Sequence, residues 1–346
     1  MLKNGGQLTI MNTKIKFFLI DFFLLVSGII IIFFITPSGY FFSTIKKIYI
    51  FCVVVFPFYL CVKFVLLHFV YKKKNYFRLV FAICIFFTGI YATFIEPYML
   101  FIKKIEIKSP KIKTPIKILH ITDIQSTNVG WYEKKVFKKI SELNPDIVCH
   151  TGDYLQNLRG ANLKFNLKKL SDLVSGLPDT TYQFAVGGST DYRYKLNEIF
   201  TGKKIFPLID NSVEIKINND IFRVIGLTEK SIFNLASPAV LNENISDTAY
   251  NILLGHQPDL IYHLRWKKNI DLCLAGHTHG GQVNIPLYGP IITMSGVEKK
   301  YARGFNKIEN TYLNVSNGVG VEHLQNVMPI RLFCPPDITL ITIKPE

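Results

Sequence analysis

Three long, mostly apolar runs occupy the first third of the chain: Phe17 to Ile35, Ile48 to Val70 and Leu79 to Ile102, with Asp21, Lys63 and Glu96 as their internal charges. Each is long enough to cross a hydrocarbon core about 30 Å thick at a helical rise of ~1.5 Å per residue. Too few polar positions are left to give such helices a wet face in a soluble domain, so the pattern predicts a three-span anchor. No small-residue cleavage site follows the first run and two more apolar runs come after it, which argues against a removed leader. Asp21 and Lys63 fall near span ends, where they can pair with each other or reach an interface; ionisable groups within spans are costly.

From residue 116 the pattern changes to short apolar runs alternating with amphipathic segments, the mark of a layered α/β domain. Strands are expected at Ile116 to Thr122, Asp146 to Thr151, Tyr182 to Val186, Tyr250 to Leu254 and Asp271 to Ala275. Helices are expected at Tyr132 to Leu143, with Val136, Phe137 and Ile140 on one face, at Leu163 to Val174, and briefly after Pro258. A hairpin through Asn218-Asn219-Asp220 joins Val213 to Ile217 with Phe222 to Ile225, and late strands cover Tyr312 to Val315 and Ile338 to Ile343. The expected division is a membrane anchor over residues 1–104 and an α/β domain over 105–346.

Composition sharpens this division. The net charge of +15 suggests nucleic acid until it is split at residue 104. The first 104 residues carry 12 Lys/Arg against 2 Asp/Glu, a net of +10, while the remaining 28 against 23 give +5. The basic excess therefore flanks membrane spans, where anionic head groups attract it, and nucleic acid is not expected as a partner. Lys72, Lys73, Lys74 and Arg78 place the second loop inside by the positive-inside tendency and the C-terminal domain outside. Lys103, Lys104, Lys108, Lys111 and Lys113 oppose that topology, so the side on which the domain lies stays open. Only Cys149, Cys273 and Cys334 fall beyond the spans, too few for a fully paired disulfide framework.

The polar residues with chemistry sit just past the apolar runs, where open α/β sheets collect their ligands. Asp123 follows the first strand, Gly152-Asp153 the second, and Gly188-Ser189-Thr190-Asp191 the third. Gly255-His256 and Gly276-His277-Thr278-His279-Gly280-Gly281-Gln282 follow two later ones. Two carboxylates and three imidazoles at one sheet edge suit divalent Mn, Fe, Co or Zn better than Ca or Mg, and a structural zinc would favour cysteines, absent from these positions. A pair of such ions about 3.5–4 Å apart activates water and clamps a phosphoryl group, which points to phosphoester hydrolysis. His120 and His150 precede the two aspartates by three residues, and strand alternation turns them to the opposite face, as core histidines.

These ordered blocks, Asp123, Gly152-Asp153, Gly255-His256 and Gly276-His277-Thr278-His279, resemble those of the calcineurin-like metallophosphoesterases, over roughly residues 116–343. Pro286, Gly289, Pro290, Gly296, Tyr301 and Gly304 resemble the bacterial membrane-associated branch in particular. The resemblance implies a four-layer α/β/β/α sandwich following the three transmembrane helices. It also implies that Asp153 bridges two divalent ions, Asp123 and His279 holding one and His256 and His277 the other.

Two positions depart from the family. Its first block is Asp-x-His, where this chain reads Asp123-Ile124-Gln125, and its third is Gly-Asn-His with a following acidic residue, where this chain has Ser189, Thr190 and Asp191. Gln125 and Ser189 thus stand at substituted ligand positions, Thr190 and Asp191 at the position of the leaving-group acid. Losing such an acid costs about 10²- to 10⁴-fold in rate. Two readings follow: a membrane-anchored metal-dependent phosphoesterase or pyrophosphohydrolase acting on a lipid-linked phosphate, or a degenerate metal- or phosphate-binding relative, with one or two ions bound. Arg193, Lys299, Lys300, Arg303 and Arg331 are the cations available to an anionic substrate, Arg303 the favoured one.

Overall fold

The computed structural model describes residues 4–37, 41–70, 72, 76–156, 162–234, 241, 245–265, 269–322 and 329–346. These residues fall into two compact units, one ending at Ala92 and the other beginning at Thr93. His323 and two of the loop lysines, Lys73 and Lys74, lie outside the described residues.

Among the described residues three helical stretches are long and apolar enough to cross a membrane: Phe18–Ile35, Ser43–Val70 and Tyr76–Tyr98, the last of which runs from the first unit into the second. Their large side chains are widely exposed, Phe23 at 70% and Phe69 at 72%, as lipid-facing positions would be. The charges turn inward. Asp21 accepts from Lys63 Nζ (2.5 Å), Tyr59 Oη (3.0 Å) and Arg78 Nε (2.9 Å), joining all three candidate spans through one buried carboxylate. Glu96 belongs to the second unit, where its carboxylate accepts from the backbone N–H groups of Phe333 (3.1 Å) and Cys334 (2.5 Å).

The second unit contains fourteen strands among its described residues. In chain order they are β1 (Phe101–Ser109), β2 (Ile116–Ile121), β3 (Ile147–His150), β4 (Tyr182–Ala185), β5 (Ile205–Pro207), β6 (Asn211–Ile217), β7 (Asp220–Gly226), β8 (Tyr250–Leu254) and β9 (Leu272–Ala275). After a short ribbon of β10 (Asn284–Ile285) and β11 (Gly289–Pro290) come β12 (Gly304–Ile308), β13 (Thr311–Val315) and β14 (Asp337–Pro345). They build two six-stranded sheets, ordered β1-β14-β2-β3-β4-β5 and β12-β13-β9-β8-β7-β6. Strands β2 to β5 run parallel to one another, as do β13, β9, β8 and β7, so each sheet gathers its carboxyl ends along one edge.

The two sheets face each other across a core that includes Ile118, Cys149 and Phe184 from one and Phe222, Ile252 and Leu274 from the other. Helices α1 (Trp131–Leu143) and α2 (Leu163–Ser175) cover the outer face of the first sheet through Val136, Ile140, Leu167 and Leu170. The short α3 (Glu229–Phe233) and the helical turns Pro258–Arg265 cover the second through Ile232 and Leu260. The order of layers is α/β/β/α.

Strand β1 was not expected. It begins inside the apolar run Leu79 to Ile102 that was expected to be the third span; the candidate span ends at Tyr98, and Phe101 and Ile102 pair in the sheet instead. Pairing with β14 supplies its reason: Lys103 Nζ meets Asp337 at 2.6 Å, and Lys111, just past the strand, meets Asp271 at 2.8 Å. Two lysines of the second basic cluster are thus engaged by the folded unit.

His120 and His150 are both fully buried, His120 between the two sheets against Asn314 of β13 and His150 on the helix-covered outer face of the first sheet, beside Tyr154 and Phe200. Asn314 Nδ2 donates to His120 Nδ1 (2.7 Å), so His120 Nε2 donates to Thr151 Oγ1 (2.8 Å); His150 Nε2 donates to Gln183 Oε1 (3.2 Å). Burial lowers His120 to about 3 and His150 to about 4. A buried base with a depressed folded pKa binds its proton only after unfolding, so stability is lost as pH falls below about 6.5. Between pH 6.5 and 5 each should cost about 2 kcal/mol. Urea melts of the His120→Asn and His150→Asn chains should be flatter over this range, and an unchanged pH slope would contradict the burial account.

Candidate metal centre

Each chemical residue is delivered by a strand that stops at the shared edge. Asp123 and Gln125 follow β2, Asp153 follows β3, Ser189 and Thr190 follow β4, His256 follows β8, and His277 and His279 follow β9. The backbone there is unusual: Asp123 (φ 48), Gln125 (φ 39), Asp153 (φ 56), His277 (φ 67) and His279 (φ 49) are all left-handed. Such conformations cost about 1–3 kcal/mol each and persist only where surrounding contacts enforce them. Gly188 and Gly276 permit the crowding. A Cβ on Gly188 would collide with Asp153 Oδ1 and lie 2.9 Å from His256 Cγ, and one on Gly276 would collide with Asp123 Oδ2.

The buried centre contains two carboxylates and two imidazoles. Asp123, Asp153 and His256 offer donor atoms all within 4.8 Å of one another. His256 Nε2 is 3.3 Å from Asp153 Oδ2 and 3.3 Å from His277 Nδ1, and His279 Nε2 is 3.4 Å from Asp123 Oδ1. Hydrogen bonds behind the rings set their orientation. His256 Nδ1 donates to Thr151 O (2.7 Å) and His277 Nε2 to Met294 O (3.0 Å), so Nε2 of the first and Nδ1 of the second face the centre. This is the outer support that metal-binding histidines need.

The electrostatics ask for positive charge. Burial, offset in part by His256, pushes Asp123 up to about 7. Burial works the same way on Asp153, yet His256 and hydrogen bonds from Thr190 N–H and the Gln125 amide hold it below the ordinary carboxylate range. Burial would lower His256, but the Asp153 carboxylate outweighs it and lifts the ring to about 10. A divalent cation takes the place of such protons when it binds carboxylates and imidazoles. Two buried donor atoms, Gln125 Oε1 and His279 Nδ1, have no hydrogen-bond partner. The residues present therefore fit divalent metal.

The substituted positions separate in space. Gln125 Nε2 donates to Asp153 Oδ2 (2.9 Å) and to Glu322 Oε2 (3.1 Å) at the centre, whereas Ser189 is exposed. Thr190 donates its backbone N–H to Asp153 Oδ1 (2.8 Å). Asp191 is directed away from solvent: its carboxylate accepts from the N–H groups of Asp153 (2.8 Å), Gly188 (2.8 Å) and Tyr154 (3.0 Å) and from the Tyr194 hydroxyl. It holds the β3 and β4 loops together.

Arg331 is fully buried. It donates to the carbonyls of Asn317 (2.8 Å), Gly318 (3.2 Å), Gly320 (3.2 Å from Nε) and Cys334 (2.9 Å), so it braces the loop after β13 and is withdrawn from any substrate. That loop in turn meets the centre, with Gly320 N donating to Asp123 O (2.6 Å). Arg303 is half-buried beside the β12 strand. Sequence reasoning missed Glu229 and Glu322, which lie in no motif; Thr228-Glu229 just past a strand end was the one available signal.

A profile of the calcineurin-like phosphoesterases matches residues 116–281. The metallophosphoesterase YkuE of Bacillus subtilis is 30% identical over 277 residues, covering 73% of this chain and 89% of that one. The phosphodiesterase YaeI of Escherichia coli is 26% identical over 58% of this chain and 72% of its own. The chain belongs to the calcineurin-like phosphoesterase family. A further relative, the UDP-2,3-diacylglucosamine pyrophosphatase LpxG of Chlamydia muridarum, is 23% identical over 314 residues, 73% of this chain and 92% of its own. The family normally carries a dinuclear metal site, and the Asp and His groups described above could hold metal.

Proposed function

We propose that this chain is a membrane-tethered, metal-dependent hydrolase that cleaves a phosphate or pyrophosphate linkage in a lipid-linked substrate. Residues 1–104 supply the anchor, although their last residues, Phe101 to Lys104, already belong to β1, and 105–346 supply the rest of the catalytic domain. Asp153 would be shared between two divalent ions, with Asp123, Gln125 and His279 completing one half-site and His256 and His277 serving the other. Bound ions of this kind polarise a phosphoryl group and activate water. The chain's own residues orient the donors, exclude solvent from Asp123 and His256, and fix the imidazole tautomers through Thr151 and Met294.

The observation that carries the lipid-linked reading is a cleft of about 180 Å³ that opens from Gln125 and is walled by Pro97, Tyr98, Ile124, Trp131 and Tyr132. Trp131 is 63% exposed and packs edge-on to Tyr132 (ring centroids 5.7 Å) and beside Tyr98 (5.5 Å). An aromatic wall beside a phosphoester-cleaving centre suits a substrate whose phosphate adjoins an apolar tail. Tyr98 is also the last residue of the third candidate span. The relative named for cleaving the UDP-2,3-diacylglucosamine pyrophosphate bond has a substrate of this class. A pyrophosphate leaving group is a good one and least needs the acid that Thr190 cannot supply.

The full chain in detergent with Mn²⁺ should hydrolyse an acylated nucleotide-sugar pyrophosphate at least about 10-fold more efficiently than its deacylated form. Trp131→Ala should raise KM for the acylated substrate about 10-fold and leave bis(p-nitrophenyl) phosphate turnover unchanged. Equal turnover of the acylated and deacylated substrates would sink the lipid-linked reading. Bound metal without turnover of any phosphoester would favour the degenerate binder, consistent with the substituted Gln125, Ser189 and Thr190.

A further inference from the structure

The half-site built on His256 and His277 lacks a donor. In the dinuclear reading, which this inference rests on, His256 Nε2, His277 Nδ1 and an Asp153 oxygen provide three. The residue at the fourth position, Ser189, has a short side chain and is exposed. The two ring nitrogens are 3.3 Å apart, close to the ~3.4 Å that two nitrogens take on one tetrahedral ion at about 2.0–2.1 Å. Both lone pairs face the same space because each ring's other nitrogen is tied to a backbone carbonyl.

A carboxylate reaches that space from outside the family blocks. Glu229, His256 and His277 offer one donor atom each, all within 4.8 Å of one another. Glu229 opens α3, three residues past the last paired residue of β7, Gly226, and β7 lies beside β8 in the second sheet. Its place is enforced. Thr228 caps the helix, accepting from Ser231 N–H at 3.3 Å, and is itself gripped by Asp210, which accepts its N–H (2.9 Å) and its hydroxyl (2.7 Å). Gln257, next to His256 in the chain, donates Nε2 to Glu229 Oε1 at 3.0 Å, orienting the carboxylate as second-layer partners orient metal ligands.

We propose that Glu229 is a metal ligand, supplying to the His256–His277 ion the oxygen donor that Ser189 cannot. The exchange of a neutral amide for a carboxylate brings a third negative charge to the centre beside Asp123 and Asp153. Added carboxylate favours the more oxygen-preferring ions, Mn²⁺ and Fe²⁺, over Zn²⁺. The loss of the third-block amide is then a relocation of a ligand from the β4 loop to the β7 loop, and the half-site remains complete.

Metal content and Mn²⁺ affinity, read by elemental analysis and electron paramagnetic resonance on the full chain in detergent, test this without reference to turnover. Glu229→Gln should lose about one ion per chain, or bind it at least about 10-fold more weakly. Placing the amide back, as Ser189→Asn in the Glu229→Gln background, should restore it, a rescue that a purely structural Glu229 would not show. Asp153→Asn serves as the control and should lose both ions. Wild-type stoichiometry and affinity in Glu229→Gln, with loss in Asp153→Asn, would overturn Glu229 as a ligand and leave the metal centre standing. A wild-type chain that binds no Mn²⁺, Fe²⁺ or Zn²⁺ would overturn both together.

Discussion

Asp153→Asn should strip the chain of metal and reduce phosphoester turnover by at least about 10³-fold, while the fold persists. The change is nearly isosteric, so packing is kept, but it removes the one charge that the two proposed half-sites would share. Asp153 accepts from Gln125 Nε2 and Thr190 N–H and pairs with His256 at 3.3 Å. An ion's contribution to transition-state charge stabilisation is several kcal/mol, and about 4 kcal/mol corresponds to 10³-fold. Elemental analysis alongside Mn²⁺-stimulated bis(p-nitrophenyl) phosphate hydrolysis checks this, and a variant that keeps its metal and half its activity would remove Asp153 from the centre of the site.

The second large effect is on stability. Arg331→Met should destabilise the domain by at least about 3 kcal/mol, because the carbonyls of Asn317, Gly318, Gly320 and Cys334 all lose a buried donor. For a unit of this size that corresponds to a fall in Tm of about 6–12 °C. Among the described residues no carboxylate lies in salt-bridge range of Arg331, so its charge is balanced by carbonyl dipoles spread around a planar fork. Arg331→Lys should therefore recover less than half the loss, since a single ammonium cannot reach the same spread of acceptors. Thermal melts followed by circular dichroism decide it, and a lysine variant as stable as wild type would contradict the fork argument. Metal affinity should weaken in the methionine variant as well, because the braced loop donates to the Asp123 carbonyl.

The helices and central strands were legible because their residues repeat at the period of the element they form. Ile116 to Thr122 and Tyr250 to Leu254 read as short, mainly apolar runs because central strands are covered on both faces, and the structure places β2 and β8 there. The short β5 and the edge strand β12 were not legible. Edge and three-residue strands bury little, so no apolar periodicity is imposed on them. Asp123, Asp153, His256, His277 and His279 stood out because each follows a strand and neighbours glycine or a tight turn. Their convergence is a property of parallel sheets and could be inferred without coordinates.

Asp191, by contrast, was read as standing at the acid position, and the structure gives it to the backbone of its own and the neighbouring loop. Arg331 looked like a candidate for an anion and is buried as a brace. In both cases a charged group's neighbours are set by tertiary packing, and chain position does not report which donors or acceptors surround it.

The sequence by itself determined the three long apolar runs, the alternating order of strands and helices, and the five Asp and His residues that collect past strand ends, since all of these rest on local periodicity and turn chemistry. Only the tertiary structure decided which further carboxylates come to lie beside them. Glu322 reaches Gln125 across 197 positions of chain, and Glu229 reaches His256 and His277 because β7 lies beside β8. A ligand's identity is fixed within a few ångströms, and closeness on that scale between residues far apart in the chain is created by sheet order and loop bracing, which no local pattern records.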